Sequence, residues 1–306
     1  MRDAANAEVA GYIDNVRGLS NLVALLAVSV AYPPGALYRE PGQSITDIDH
    51  RLGSEEDVDD PLLTAHRSAK FYLISAGDCV HSMSTLLSTD HPNFVGAAAL
   101  ARSAAEHASR SMYLSDPSIS YQARLLRINL LITDSLREYK SSPVARVTGL
   151  INQWKVWRTR MGSEFPSEFK DVPKQKFGNA TQLIEKYFPG EGAISYEELS
   201  RPTHGNAAWL AVTVISEQKQ TAVARIMLMR NVMFATRFIL AATESIVNLW
   251  QLDPDAALQR FIGQTGESPT FSWAELVSEV KSVSATVASF DEREFLDATD
   301  VPQPRR

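Results

Sequence analysis

The chain has 306 residues, 44% hydrophobic and 22% charged, a composition that supports a sizeable packed core and excludes the disordered class. Its net charge of −6 opposes broad attraction to nucleic-acid phosphates or anionic lipid. Cys79 is the single cysteine, which excludes an intrachain disulfide and a cysteine-built zinc site and suits a reducing, cytoplasmic setting.

Helical periodicity dominates and strand patterns are scarce, so the expected fold is all-α. We expect a single multi-helix domain over residues 1–297 and a frayed tail over 298–306. A first helix over residues 7–32 is stopped by Pro33-Pro34-Gly35. Its apolar run at 22–31 resembles a signal-peptide core, but Asp3, Glu8 and Asp14 outnumber Arg2 and Arg17 ahead of it, and the run is too short to span a bilayer. No membrane partner is therefore expected. Residues 33–60 read as a long polar, acidic loop.

A second helix starts after Pro61, carries Leu62, His66, Ala69, Leu73, Ala76 and Val80 at helical spacing, and ends near Thr89. Asp90-His91-Pro92 punctuates, and a third helix follows over 92–114. After Ser115-Asp116-Pro117 a fourth runs to about residue 139, with Leu125, Ile128, Leu131, Ile132 and Leu136 facing a core. The fifth begins after Pro143 and holds Trp154 and Trp157. Residues 162–178 turn polar and proline-bearing, as a long loop or flap does. A short helix near 179–187 precedes the break at Pro189-Gly190. The longest periodic run, residues 221–250, is apolar on most of its surface and is expected at the centre of the bundle. Smaller C-terminal helices, broken by Gly263, Gly266 and Pro269, fill residues 251–297.

The third helix repeats Arg102, Glu106 and Arg110 at four-residue spacing among alanines and serines, which stacks a cation, an anion and a cation on one face. Guanidinium forks accept carboxylate or phosphate bidentately, so Arg102 and Arg110 are candidate anion ligands, with Glu106 orienting them. The alternative is a structural ion network that locks two helices. His107 points about 100° away from Glu106. Tyr196, Ser200 and His204 form a second polar cluster around Arg201-Pro202, with His204 beside Gly205 and Asn206 where the next helix begins. There His204 is a candidate for proton transfer. No G-x-S-x-G elbow surrounds Ser200, and the alternative is that Ser200 and His204 cap adjoining helices. The central helix adds Arg230, Arg237 and Glu244 at seven-residue intervals, with Asn248 beyond. That stripe is either the solvent face or the polar wall of an interior cavity. Enclosed arginines would need carboxylate partners, for which Glu106 and Glu244 are candidates. The candidate catalytic residues are thus Glu106, Tyr196, Ser200 and His204, and the candidate substrate-binding residues Arg102, Arg110 and Arg237.

Metal chemistry has little support: the six histidines are scattered and form no H-E-x-x-H. The acids at 55–60 resemble the aspartate-rich motif of terpene synthases, but they sit in a proline- and glycine-flanked loop with no second metal motif downstream. Asp47-Ile48-Asp49-His50-Arg51 departs from the EF-hand pattern, because a cation stands at a ligand position. No metal and no cofactor is expected.

The segments LARSAAEHASRSMYLSD, RLLRINLLITDSLRE and YEELSRPTHGNAAWL resemble poorly characterised all-helical proteins from actinobacteria. The resemblance implies a helical bacterial protein and supplies no activity. Arg102 and His107 also share the arginine-four-residues-histidine spacing of HEPN nucleases, although Ser103 rather than a residue such as Asn follows the arginine. That resemblance implies a metal-independent ribonuclease or toxin, dimeric, with His107 at a two-fold groove. The leading expectation is a cytoplasmic protein that binds a small polar or anionic molecule in an inter-helix pocket, with its transformation there as the extension of that reading. A third is a non-enzymatic interaction protein that uses apolar faces bearing Trp154, Trp157 and Trp209. Expected partners are a small-molecule ligand and a second copy of the chain, with nucleic acid only under the HEPN-like reading.

Overall fold

The computed structural model describes residues 2–32, 38–87, 93–135, 145–218, 222–264 and 272–290. Among these the fold is an all-α bundle of thirteen helices: α1 Arg2–Ala31, α2 Ile45–Leu52, α3 Pro61–Leu86, α4 Phe94–Ser115, α5 Tyr121–Ser135, α6 Ala145–Glu164, α7 Pro166–Phe169, α8 Ala180–Tyr187, α9 Gly192–Thr203, α10 Ala207–Gln218, α11 Val223–Leu249, α12 Pro254–Gln264 and α13 Trp273–Ser289. The expected signals at Pro33-Pro34-Gly35 and Asp90-His91-Pro92, the fourth helix beyond residue 135, Pro143, Gly266, Pro269 and the tail lie outside the described residues.

The core forms where α4 packs on α3 and α11, and α1 closes over α3 and α11. Ala97, Ala98, Ala101, Ala104, Ala105 and Ala108 of α4 have no solvent exposure, so on this arc α4 contributes only methyl groups to its packing. α11 supplies the larger side chains, including Val232, Met233, Phe238, Ile239 and Ile246, all buried. By length and composition alone, residues 8–31 and 223–249 are apolar enough to cross a membrane, but most of the second stretch is enclosed by the bundle.

Of the expected polar loop over 33–60, the described residues 38–60 contain a helix, α2. Ser44 caps it by accepting from the Asp47 N–H at 3.2 Å, and Ile48 and Leu52 bury its inner face. Asp49 then reaches out of α2 to accept from the N–H groups of Leu62 and Leu63 at 2.7 and 3.0 Å, satisfying the first turn of α3 where Asp60, the residue at the cap position, makes no such bond. Burial pushes the Asp49 carboxyl up to about 6. The 162–178 stretch is also tied down. It holds the end of α6 and short α7, Phe165, Phe169 and Phe177 pack on the core, and the Lys176 carbonyl accepts from the Tyr113 hydroxyl at 2.8 Å.

A buried polar network joins elements far apart in sequence. Arg124 of α5 donates to both oxygens of Glu40 at 2.9 and 3.3 Å and to the carbonyls of Leu114 and Asp116. Trp250, just after α11, donates to Nδ1 of His66 at 3.0 Å, which leaves Nε2 to carry the proton and donate to Glu40 at 3.1 Å. Burial raises the Glu40 carboxyl, but the His66 hydrogen bond and the Arg124 charge outweigh it and hold it below its usual value. Burial holds His66 below its usual value as well.

Arg124→Met leaves Glu40 enclosed without its cation and is expected to cost about 3–5 kcal/mol, read from denaturant unfolding. His66 and Glu40 contribute to the pH dependence with one sign, and Asp49, raised to about 6, contributes with the opposite sign below that value. Below the ordinary histidine value of 6.5 the unfolded chain binds a proton that folded His66 refuses, so stability falls as pH falls. The Glu40 contribution is present above its ordinary value of 4.5 and is lost as pH drops through its lowered folded value. A urea midpoint of the native chain that falls from pH 7 to 5 relative to that of His66→Gln checks the first part, since the Asp49 contribution is common to both.

Candidate functional site

Alanine-rich α4 starts at Asn93, whose side chain accepts from the Gly96 N–H at 2.9 Å. With its alanine arc packed in the bundle, the helix turns Arg102 and Glu106 toward Tyr196 of α9, while Arg110 lies 6.0 Å from the Tyr72 ring centroid of α3. The three side chains of this row keep 29%, 22% and 26% exposure, so the row is neither interior nor free in solvent. On the facing side, α9 ends with His204 at the cap position and Gly205 in the left-handed region at φ 67°, a conformation that favours glycine and terminates the helix. Asn206 then caps α10 by accepting from the Trp209 N–H at 3.1 Å. This stop and restart sets His204 at an exposed corner.

The two predicted clusters meet at Tyr196. Its hydroxyl donates to Glu106 Oε1 at 2.5 Å and accepts from Arg102 Nε at 3.0 Å, while the same Nε lies 3.2 Å from Glu106 Oε1. The Arg102 guanidinium carbon sits 5.1 Å from the Tyr196 ring centroid, and its other edge reaches the His204 corner, with one terminal nitrogen 3.4 Å from Nε2. Arg110 approaches Glu106 Oε2 more loosely, at 3.5 Å. Burial and then the Glu106 hydrogen bond push the Tyr196 phenol up to about 12, so it stays a protonated donor at neutral pH.

Ser200 and Arg237 belong to other arrangements. Ser200 Oγ donates to the Tyr196 carbonyl at 3.0 Å within its own helix. Arg237 pairs with Glu191 at 2.5 Å and lies over the Phe188 ring, near the opposite end of α9. Glu244 and Asn248 are exposed, while Arg230 donates to the Phe290 carbonyl at 2.6 Å and lines a surface cavity with Trp209 and Phe234, so the α11 stripe does not wall one interior cavity. Trp154 and Trp157 are interior, packed edge to face at 5.4 Å, with Trp157 donating to the Leu52 carbonyl, so neither offers a partner surface. Trp209 is partly buried.

His107 lies roughly 140° around α4 from Arg102. It stacks on Tyr72 at 6.0 Å, and its Nδ1 is enclosed with no hydrogen-bond partner among the described residues. One chain therefore does not bring Arg102 and His107 to a common point. Among the described residues no group of three or more His, Cys, Asp or Glu is placed to hold a metal ion. The surface cavities lined by Phe71 and His107, by Leu19 and Leu276, by Tyr38 and Asp49, and by Trp209 and Phe234 include none of Arg102, Glu106 or Tyr196.

No known protein family, curated protein or solved structure matches the chain. What the ridge can do is accordingly argued from its own groups.

Tyr196→Phe keeps the ring against Arg102 and removes the hydroxyl that joins Glu106 to it. The expected loss is about 1–2 kcal/mol in denaturant unfolding, because a half-buried hydrogen bond to a charged group is replaced in part by water. An unchanged midpoint would show that the bridge does not form in solution.

Proposed function

We propose that this is a cytoplasmic protein that binds a small polar or anionic molecule on the ridge between α4 and α9. The observation that carries the reading is the Tyr196 hydroxyl seated between Glu106 and Arg102. It occupies the Nε side of the guanidinium and so directs the opposite edge toward His204 and solvent. Two guanidinium groups share one carboxylate there, and Arg110 holds it only loosely. The ridge thus carries an excess of positive charge in a chain of net charge −6. A carboxylate or phosphate docking on Arg102 and Arg110 gains charge-assisted hydrogen bonds without having to order those side chains anew.

The same groups are suited to moving a proton. Tyr196 is held protonated beside Glu106, and His204 stands within reach of the anion edge. Nucleophilic attack by Ser200 has less support, since its hydroxyl is turned to its own backbone. The free thiol of Cys79 suits the reducing compartment proposed.

Isothermal titration with inorganic phosphate and with acetate tests the reading. Arg102→Gln is expected to weaken phosphate binding about tenfold, the loss of one charge-assisted hydrogen bond, while unfolding shifts by about 1 kcal/mol or less, as for other half-exposed pairs. Binding should also weaken as salt is raised. A large loss of stability with no selective loss of phosphate binding would instead identify a structural ion network.

A further inference from the structure

We infer that the cavity between α3, α4, α5 and α6 is a second binding site, for a small, neutral, largely apolar molecule that presents one hydrogen-bond acceptor to His107. The cavity has a volume of about 340 Å³, at the small end of ligand sites, and its walls include Phe71, Tyr72, His107, Ile128, Ile132 and Leu150. No charged side chain is among its lining residues, which sets it apart from the α4–α9 ridge and argues against an ionic ligand. Phe71 and Leu150 are 55% and 43% exposed, leaving large apolar surface in water that an apolar ligand would cover.

The polar specificity comes from the tautomer of His107. Nδ1 is sealed from solvent and has no hydrogen-bond partner among the described residues. An enclosed N–H without an acceptor is costlier than an enclosed lone pair, so the proton belongs on Nε2. His107 lines the cavity and its Nδ1 is sealed, so we take the Nε2 N–H as the donor offered to a ligand, in a lining whose other polar side chains are the hydroxyls of Ser68 and Ser75 and the Tyr72 phenol. Burial and then Arg110 hold this imidazole below its usual value, so it is neutral at pH 7. A ketone, ester or ether oxygen on a ring-sized apolar body satisfies both features. The site is distinct from the Arg102, Glu106 and Tyr196 part of the proposed anion ridge, none of which lines it, and it adjoins the ridge only through Arg110, which lies 6.0 Å from the Tyr72 ring centroid.

The probe is 6-propionyl-2-(dimethylamino)naphthalene, a neutral aromatic ketone whose emission shifts to the blue in apolar surroundings. Expected is saturable one-to-one binding, weakened about tenfold in His107→Phe, which keeps the ring and loses the donor. Ile132→Trp, which fills the cavity, and Leu150→Trp at its exposed rim are each expected to weaken binding at least tenfold, with thermal unfolding confirming that the variants fold. Imidazole ¹⁵N spectra of the free protein should show His107 protonated on Nε2. The inference is overturned by non-saturable or absent binding, by affinity unchanged in His107→Phe or in both tryptophan variants, or by a proton found on Nδ1.

Discussion

Six alanines of α4 with no solvent exposure set the terms for the rest of the molecule. Alanine adds little bulk beyond the backbone and loses no rotamer freedom on burial, so α3 and α11 can close on one arc of α4 at short interaxial distance. Across the α3 contact Ser111 donates to the Ala69 carbonyl at 2.9 Å, a bond that needs this close approach. With that arc committed, the remaining circumference of the helix is shared between two environments. Arg102 and Glu106 project toward α9, Arg110 stands at the boundary over the Tyr72 ring, and His107 lines the cavity beside Tyr72. A charged ridge and an uncharged cavity therefore follow from a single pattern of small residues.

The two ion networks of the chain differ in kind. Glu40 and Arg124 are fully enclosed, and every hydrogen-bonding direction of the arginine is used on Glu40 or on carbonyls at the end of α4. Such a network holds its elements in one arrangement and admits no ligand, since displacing either partner leaves a buried charge. The α4 row is half-exposed, and i,i+4 pairs in that setting contribute only about 0.3–0.5 kcal/mol each. Its contribution to stability is small beside that of the packed core. The Tyr196 hydroxyl adds orientation instead, fixing one edge of Arg102 and presenting the other. An arginine held in orientation while one edge stays exposed is suited to meeting something from outside.

Much of the architecture was legible because its signals are local. Pro61 opens α3, the Arg102, Glu106 and Arg110 spacing stacks on one face, and the His204-Gly205-Asn206 sequence ends one helix and begins the next. The direction in which the row points was legible only through its neighbours, the alanines one and two turns away. Other features were not local. Glu40 and Arg124 are 84 positions apart, and an arginine amid Ala123, Leu125 and Leu126 reads as a surface residue by ordinary burial preferences. α2 was hidden by its acidic composition, since Asp47 and Asp49 serve as helix-end groups rather than loop solubilisers. Ser200 and His204 are adjacent turns in sequence, yet the serine bonds backward along its helix, as serines inside helices often do. Trp154 and Trp157 gave no directional signal, because aromatic residues mark cores and interfaces alike. The Phe71 and Tyr72 pair, which forms one wall of the cavity, carried its only clue in two consecutive aromatics on a helix, one of which must face outward.

The arginine-to-histidine spacing shows how little a short motif says about a site until its helix is oriented. Four intervening residues turn the helix through roughly 140° beyond a full revolution, so Arg102 and His107 diverge by geometry alone. In this chain the divergence is reinforced by partners. Arg102 is drawn to Glu106 and Tyr196, and His107 is laid against Tyr72 with one nitrogen sealed. A reaction requiring both groups at one phosphate must take the arginine from one chain and the histidine from another, and only the Nε2 side of that histidine is open to it. The same constraint separates the two faces of α4 within a monomer, so the ridge and the cavity act on different molecules unless a second chain brings them together.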